Sequence, residues 1–405
     1  MKYLVFLADG MADETLADLN GMTPIENAFT PNLDELAKKG IQGTLTTIPE
    51  PYPTSSDAAN LSVLGYDLEK NYCGRGPIEA VSQGISLGKN DIAFRCNLIS
   101  IKQGILEDYS AGQLGQEEAK SIIAYLNQQI GNDNIIFYPG VSYRNILVLK
   151  GKKYSDKIGY AKPDSSQGEE WANLLTKPLE KTAELTSRTI NELILKSMEV
   201  LNYCPVNQKL LKENKKSANS IWPWSPGKIP KLMSFQEKYN KRGVIISAVD
   251  VILGIGQLTG MQIVKPEGAT GFVDTNFENK VNAAIKALRY NDFVFLHLEA
   301  IDECSHMGDL NLKLKAIELF DKKLVGPLLE YIRINNMENE VTFAVLPDHP
   351  VPVKMRKHTR TPVPFLISGP NTGNDGNSFY SERTALKGKC GLLEPYTFLD
   401  KLFSY

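Results

Sequence analysis

No stretch of this 405-residue chain carries a basic run long enough to follow a nucleic-acid backbone. Its 45 lysines and arginines nearly balance 47 aspartates and glutamates, for a formal net charge of -2. Nucleic acid is therefore not an expected partner. Long apolar runs are missing too. The stretch from Met1 to Ala8 is too short for a signal sequence and nothing later approaches membrane-spanning length, so no membrane association is expected. The five cysteines, Cys73, Cys96, Cys204, Cys304 and Cys390, include no C-x-x-C pair. Such an odd, scattered set points to free thiols in a reducing, cytoplasmic setting. Histidine is scarcer still: there are four, and three of them, His306, His349 and His358, fall in the last hundred residues.

Those three stand where ligands would be. Val341 to Leu346 reads as a buried strand, Pro347-Asp348-His349 follows it directly, and His358 lies nine residues beyond His349. A buried strand fixes the backbone up to its last residue, so side chains just past its carboxyl end can be aimed at a cation with little further ordering cost. Tyr3 to Ala8 is a second such run, ended by Asp9-Gly10. Alone, Asp9 would pass as a turn aspartate; beside the later cluster it becomes a ligand candidate. Asp292 to Leu298 is a third run, leading into Asp302 and His306, which one helical turn would place on one face. His297 lies within that strand and is expected in the core, or bonded behind a ligand.

Ser55-Ser56-Asp57 opens a short helix-compatible run that closes at Gly65. A serine at a helix amino terminus meets unpaired N–H groups and a dipole that favour phosphate, and a nearby dication would stabilise its alkoxide. Plain helix capping is the alternative. Asp9, one of the two serines, Asp302, His306, Asp348, His349 and His358 make seven ligand candidates, which suits two metals. Carboxylate and imidazole donors without thiolate favour Mn²⁺, with catalytic Zn²⁺ also compatible. Two dications with a serine between them form a phosphoryl-transfer arrangement.

The rest of the chain reads as supporting structure. At this length and 42% hydrophobic content, two or three domains are expected. A helix is expected over 30–39 and a strand over 44–48. Arg75 sits between two glycines, where a loop could hold its guanidinium toward an anion. From 91 to 149, short strands (93–101, 105–109, 135–138, 145–149) surround one helix (116–129). A polar tract over 150–167 and a helix over 179–201 complete an inserted α+β domain. Trp222 and Trp224 fall in what reads as a proline-stiffened packing loop. A strand over 243–249 leads to a helix over 250–258, whose GxGxxxG spacing from Gly254 to Gly260 fits close helix packing better than dinucleotide binding. A long helix is expected from Asp309 to about 334, then a strand over 364–368 and a closing helix over 393–403.

Taken together, Leu7-Ala8-Asp9-Gly10-Met11, the segment Ser56 to Asp67, Gly74-Arg75-Gly76-Pro77, Gly268-Ala269-Thr270-Gly271, Asp302-Glu303 with His306, and Asp348-His349 with His358 resemble the archaeal-type cofactor-independent phosphoglycerate mutases of the alkaline phosphatase superfamily. The resemblance runs from residue 3 to about residue 400. It implies an α/β, alkaline-phosphatase-like three-layer core with a central, mostly parallel sheet over 1–90 and 201–405. The smaller α+β domain, inserted over 91–200, would close over the cleft and keep water out. It also implies that Ser56, the serine that directly precedes an aspartate, becomes phosphoserine as phosphate passes between the two hydroxyls of glycerate. Asp9, Ser56, Asp348 and His349 would hold one metal, and Asp302, His306 and His358 the other. Asp57, Asn60, Arg75, Arg95 and Arg144 would contact the phosphorylated small-molecule substrate, with Arg75 also serving catalysis. His297-Leu298-Glu299-Ala300 and Pro347-Asp348-His349-Pro350 look closer to a bacterial branch with a proposed homoserine kinase role. Homoserine phosphorylation is therefore the second expectation, and phosphomonoester hydrolysis the third. A binding-only role ranks below these, because neither the nucleophile nor any ligand is missing.

Overall fold

The computed structural model describes every residue from Met1 to Tyr405. The chain folds into two compact units, one made of Met1–Tyr72 and Leu232–Tyr405, the other of Cys73–Lys231. The inserted unit therefore begins at Cys73 rather than at 91 and ends at Lys231 rather than at 200. The physical reason is pairing within the insert: the strand Ser220–Gly227 lies antiparallel beside Ile92–Lys102, and the helix Arg75–Ser82 packs on both.

The first unit is built on an eight-stranded sheet. Its order is Gln262–Val264, Gly243–Ile246, Phe293–Leu298, Lys2–Ala8, Val341–Leu346, Val363–Ser368, Ile41–Leu45 and Leu392–Leu393. Only Val363–Ser368 runs antiparallel to its neighbours. Lys2–Ala8, Phe293–Leu298 and Val341–Leu346 are buried almost end to end, as the unbroken apolar runs of a sheet covered on both faces require. One face, including Leu4, Phe6, Val294, Leu296 and Val345, packs with Leu33, Leu36, Ala284, Leu288, Ile317 and Phe320 from the helices Pro31–Lys39, Phe277–Tyr290 and Leu310–Phe320. On the other face Tyr3 and Phe293 meet Phe403, and Phe293 stacks on Phe235. Helix, sheet, helix is the three-layer order expected.

In the second unit, Ile92–Lys102 pairs with Arg144–Leu149, Ile105–Asp108 and Ser220–Gly227, and its core includes Phe94, Ile122, Phe137, Ile190 and Trp222. The two tryptophans thus belong to a strand, not a loop. Pro223 and Pro226 are tolerated because this is an edge strand, where a missing N–H breaks no ladder on the open side.

Other differences are local. The second strand covers Ile41–Leu45 instead of 44–48, and the helix expected from 179 starts at Glu184. The helix expected over 309–334 is divided by a π-helical segment, Asp321–Val325, just before Pro327. The closing segment is a two-residue strand, Leu392–Leu393, followed by the helix Phe398–Phe403. Gly256 does serve close packing: a Cβ there would lie 2.7 Å from Ile263. All five cysteines are free thiols, and no helix is long and apolar enough to cross a membrane.

Candidate active site

The three central parallel strands of the first unit end side by side, and each delivers an acidic residue at its carboxyl end. Asp9 follows Lys2–Ala8; Glu299 and then Asp302, in the helix Ala300–Met307, follow Phe293–Leu298; Asp348 and His349 follow Val341–Leu346. Val363–Ser368 runs the other way, so its amino-terminal end lies at the same edge. That reversal is what brings His358, in the loop before it, to the site. Gly10 makes the approach possible: its φ is +66°, and a Cβ there would sit 2.7 Å from the Asp302 Cα.

Two ligand groups result. In one, His349 Nε2 lies 3.3 Å from Asp348 Oδ2, 3.6 Å from Asp9 Oδ1 and 3.3 Å from Ser56 Oγ. In the other, Asp302 lies 3.4 Å from His306 Nε2 and 3.5 Å from His358 Nε2, and those two nitrogens are 2.8 Å apart. The His349 and His358 rings stack at 3.8 Å, so the groups adjoin, and Asp302, His349 and His358 also converge closely enough to share an ion. His306 Nδ1–H donates to the Arg356 carbonyl at 2.9 Å, which leaves Nε2 with its lone pair facing Asp302 and His358.

The donor set fits divalent cations. Burial, then the charges of Asp348, Glu299 and Asp302, holds Asp9 well above the usual carboxylate range. Burial, then Glu299 and Asp348, does the same to Asp302. Asp9 Oδ1, Asp302 Oδ1 and His349 Nδ1 are buried without a hydrogen-bond partner. Converging carboxylates are unfavourable alone and become favourable around cations.

Ser56 is the first residue of the helix Ser56–Val63, and Ser55 is its N-cap. Ser55 makes no side-chain capping bond, so helix capping does not explain the pair. Asn60, one turn on, gives its amide hydrogens to Asp348 Oδ2 at 2.8 Å and to the Ser56 carbonyl at 2.9 Å. Its Nδ2 thus ties the serine helix to a metal-ligand candidate, while its Oδ1 is buried without a hydrogen-bond partner. Asp57 is buried, and neither of its carboxylate oxygens has a hydrogen-bond partner.

The three arginines expected at the substrate lie in the second unit. Arg75 Nε and Arg95 Nη1 both donate to Glu79 Oε1, at 2.5 and 2.6 Å. Burial pushes the Glu79 carboxyl up, but the Arg95 and Arg75 charges outweigh it and leave it below its ordinary value, with Arg144 adding to them. Arg95 also stacks over Trp224, 5.3 Å from the ring centroid. Three guanidinium charges against one carboxylate leave this cluster net positive.

Several supporting residues do not stand out on sequence grounds. His297 Nε2 meets Asp9 Oδ2 at 2.9 Å, behind the ligand as expected, but its other partner, Ser247, and the lysines Lys280 and Lys313 were not anticipated. Lys280 donates to the His297 carbonyl at 2.8 Å, and burial pulls its ammonium down to about 8. Each lysine interrupts an apolar helix stripe: Lys280 precedes Ala284 and Ala287, and Lys313 precedes Ala316, Ile317 and Phe320. A cation on a buried stripe is the signal that could have marked them.

Comparison with known proteins bears on this geometry. The family model for 2,3-bisphosphoglycerate-independent phosphoglycerate mutase matches residues 37–207. A 2,3-bisphosphoglycerate-independent phosphoglycerate mutase of Methanosarcina barkeri is 43% identical over 399 residues, covering 97% of each chain. A solved structure of a Pyrococcus horikoshii protein aligns with a TM-score of 0.83 at 29% identity, over 100% of this chain and 96% of its own. The cofactor-independent phosphoglycerate mutase of Thermoplasma acidophilum aligns with a TM-score of 0.66 at 26% identity, over 100% and 99%.

Proposed function

Because the chain belongs to the 2,3-bisphosphoglycerate-independent phosphoglycerate mutase family, we propose that it interconverts 3-phosphoglycerate and 2-phosphoglycerate with Ser56 Oγ as the phosphate carrier. The observation that carries this reading is the Ser56 hydroxyl, 3.3 Å from His349 Nε2, at a helix amino terminus that no N-cap side chain closes, beside converging carboxylates and imidazoles.

Asp9, Ser56, Asp348 and His349 are assigned to one divalent cation and Asp302, His306 and His358 to the other, Mn²⁺ before Zn²⁺ on the mixed oxygen and nitrogen donor set. Bound cations would lower the cost of a serine alkoxide and neutralise charge on the transferring phosphoryl group. Ser56 Oγ forms a bond to phosphorus as the ester bond to the glycerate oxygen breaks. The returning step reverses this onto the neighbouring hydroxyl. The first-turn N–H groups of Ser56–Val63 are assigned to the oxygens of the transferring phosphate. Asp57, with two acceptor oxygens and no donor, is assigned to a glycerate hydroxyl. Arg75, Arg95 and Arg144 are assigned to the substrate's carboxylate and phosphate, on the excess positive charge around Glu79.

A paired assay of the manganese-loaded protein tests this, with 3-phosphoglycerate in one arm and homoserine plus ATP in the other. The mutase reading expects 2-phosphoglycerate without free phosphate. Phosphohomoserine, or inorganic phosphate as the sole product, would overturn it in favour of a kinase or a phosphatase.

A further inference from the structure

The Asp9 carboxylate is oriented from behind by two residues that are not among the metal-ligand candidates. Ser247 follows the strand Gly243–Ile246, and its Oγ lies 3.0 Å from His297 Nδ1. The same oxygen accepts the Val249 backbone N–H at 3.0 Å. His297 Nε2 lies 2.9 Å from Asp9 Oδ2, and both side chains are fully buried.

Counting donors assigns the protons. As a metal ligand Asp9 is a carboxylate, which only accepts, so Nε2 carries the hydrogen. Ser247 Oγ already accepts the Val249 N–H, so its own hydrogen is left for His297 Nδ1 at 3.0 Å, which acts as the acceptor nitrogen of the ring. We propose that Ser247 and His297 form a hydrogen-bonded relay that positions Asp9, holding Oδ2 and presenting Oδ1 to the cation site shared with Asp348 and His349. Oδ1 is the oxygen left buried without a hydrogen-bond partner, 3.6 Å from His349 Nε2. The inference rests on Asp9 as a metal ligand. His297 and Ser247 act through it, as positioning residues.

The same corner offers a competing use. Ligand atoms of Asp9, His297 and Glu299 lie within 4.8 Å of one another, a spacing that would suit a third cation. The relay argues against one: a hydrogen on Nε2 removes the lone pair a metal would need. Lys280, donating to the His297 carbonyl, already brings a cationic group beside Glu299.

The test is manganese binding to the full-length protein, followed by calorimetry and elemental analysis in wild type, Ser247→Ala, Ser247→Thr, His297→Gln and His297→Leu. Wild type is expected to bind two equivalents. His297→Leu should weaken one of them about 10–100-fold, as loss of an outer hydrogen bond to a ligand typically does; Ser247→Ala, one bond further back, should weaken the same one by less and leave the other unchanged. Ser247→Thr, which keeps the hydroxyl, should restore it. His297→Gln can still donate to Asp9 and should weaken that equivalent less than His297→Leu. A general loss of packing would instead weaken both equivalents together. Unchanged binding in Ser247→Ala, equal weakening of both equivalents, equal effects of the two His297 variants, or three equivalents in wild type would each overturn the relay. No binding in wild type would overturn the metal reading itself.

Discussion

Lys313 Nζ and Asp13 Oδ2 lie 2.7 Å apart although 300 positions separate them in the chain, and neither side chain is exposed. Lys313 also donates to the Gly10 and Val351 carbonyls, and Asp13 accepts the Val353 N–H. One buried ion pair thus ties the loop carrying Asp9 to the segment between His349 and His358. Lys313→Met would leave Asp13 buried and uncompensated, at a cost of about 3–5 kcal/mol. Urea unfolding should show it, with a substantial part regained in Lys313→Met/Asp13→Asn; no loss in the single variant would mean the pair is not what joins the loops.

Ser56→Ala should lower turnover by roughly 10⁴-fold or more, as removal of an enzymic nucleophile does, while the protein stays folded. Product formation from 3-phosphoglycerate, together with circular dichroism, checks both halves. Turnover near the wild-type rate would remove Ser56 as the carrier.

His306→Ala should cost one bound metal of the two and leave the Asp9, Asp348 and His349 group loaded. Elemental analysis after gel filtration decides, and an unchanged count would exclude His306 as a ligand. Chelation of the wild-type protein should lower its melting temperature, because a ligand bound only to the native state at about 100 times its Kd adds ~2.7 kcal/mol.

Gly10→Ala should fail in two respects at once. It places a side chain at a left-handed φ, costing about 1–2 kcal/mol, and drives a methyl into Asp302. Reduced stability and weakened metal binding are expected together, measured by urea unfolding and calorimetry. Lost stability with intact binding would show that Asp302 can move aside.

Glu382 supplies a pH signature away from the ligands. It accepts from the Thr23 hydroxyl and the Asp13 N–H, and burial pushes its carboxyl up to about 7. Its unfolded value is about 4.3, so its contribution is fully present below that pH and is lost as pH rises through about 7. Glu382→Gln removes this loss. Relative to wild type, the variant should gain roughly 3 kcal/mol between about pH 5 and pH 8, and urea unfolding at the two values measures it. An equal difference at both would show no shifted group there.

The strands that deliver the ligands were legible in the sequence because burial on both faces writes itself as unbroken apolar runs. Val341–Leu346 matches its expected ends, and Asp302 and His306 lie one helical turn apart as their spacing implied. What composition hides is pairing. Ser220–Gly227 reads as a loop because prolines punctuate it, and only its edge position makes them harmless. The insert boundaries were misplaced for a related reason: Arg75–Ser82 looks like a continuation of the preceding core until its packing against Ile92–Lys102 is seen. The bond from Asn60 to Asp348 spans 288 positions and leaves no mark in the sequence. Ser247, with no distinctive neighbourhood, becomes visible only through His297.

The strand Lys2–Ala8 lies between Phe293–Leu298 and Val341–Leu346. During synthesis at about 5–20 residues per second, the first strand leaves the ribosome long before either flanking strand exists. Its unpaired backbone N–H and C=O groups must wait through most of translation, and Asp9 cannot meet Asp302 or Asp348 until about the last quarter of the chain emerges. The amino terminus is thus the earliest segment made and among the last to be sheltered.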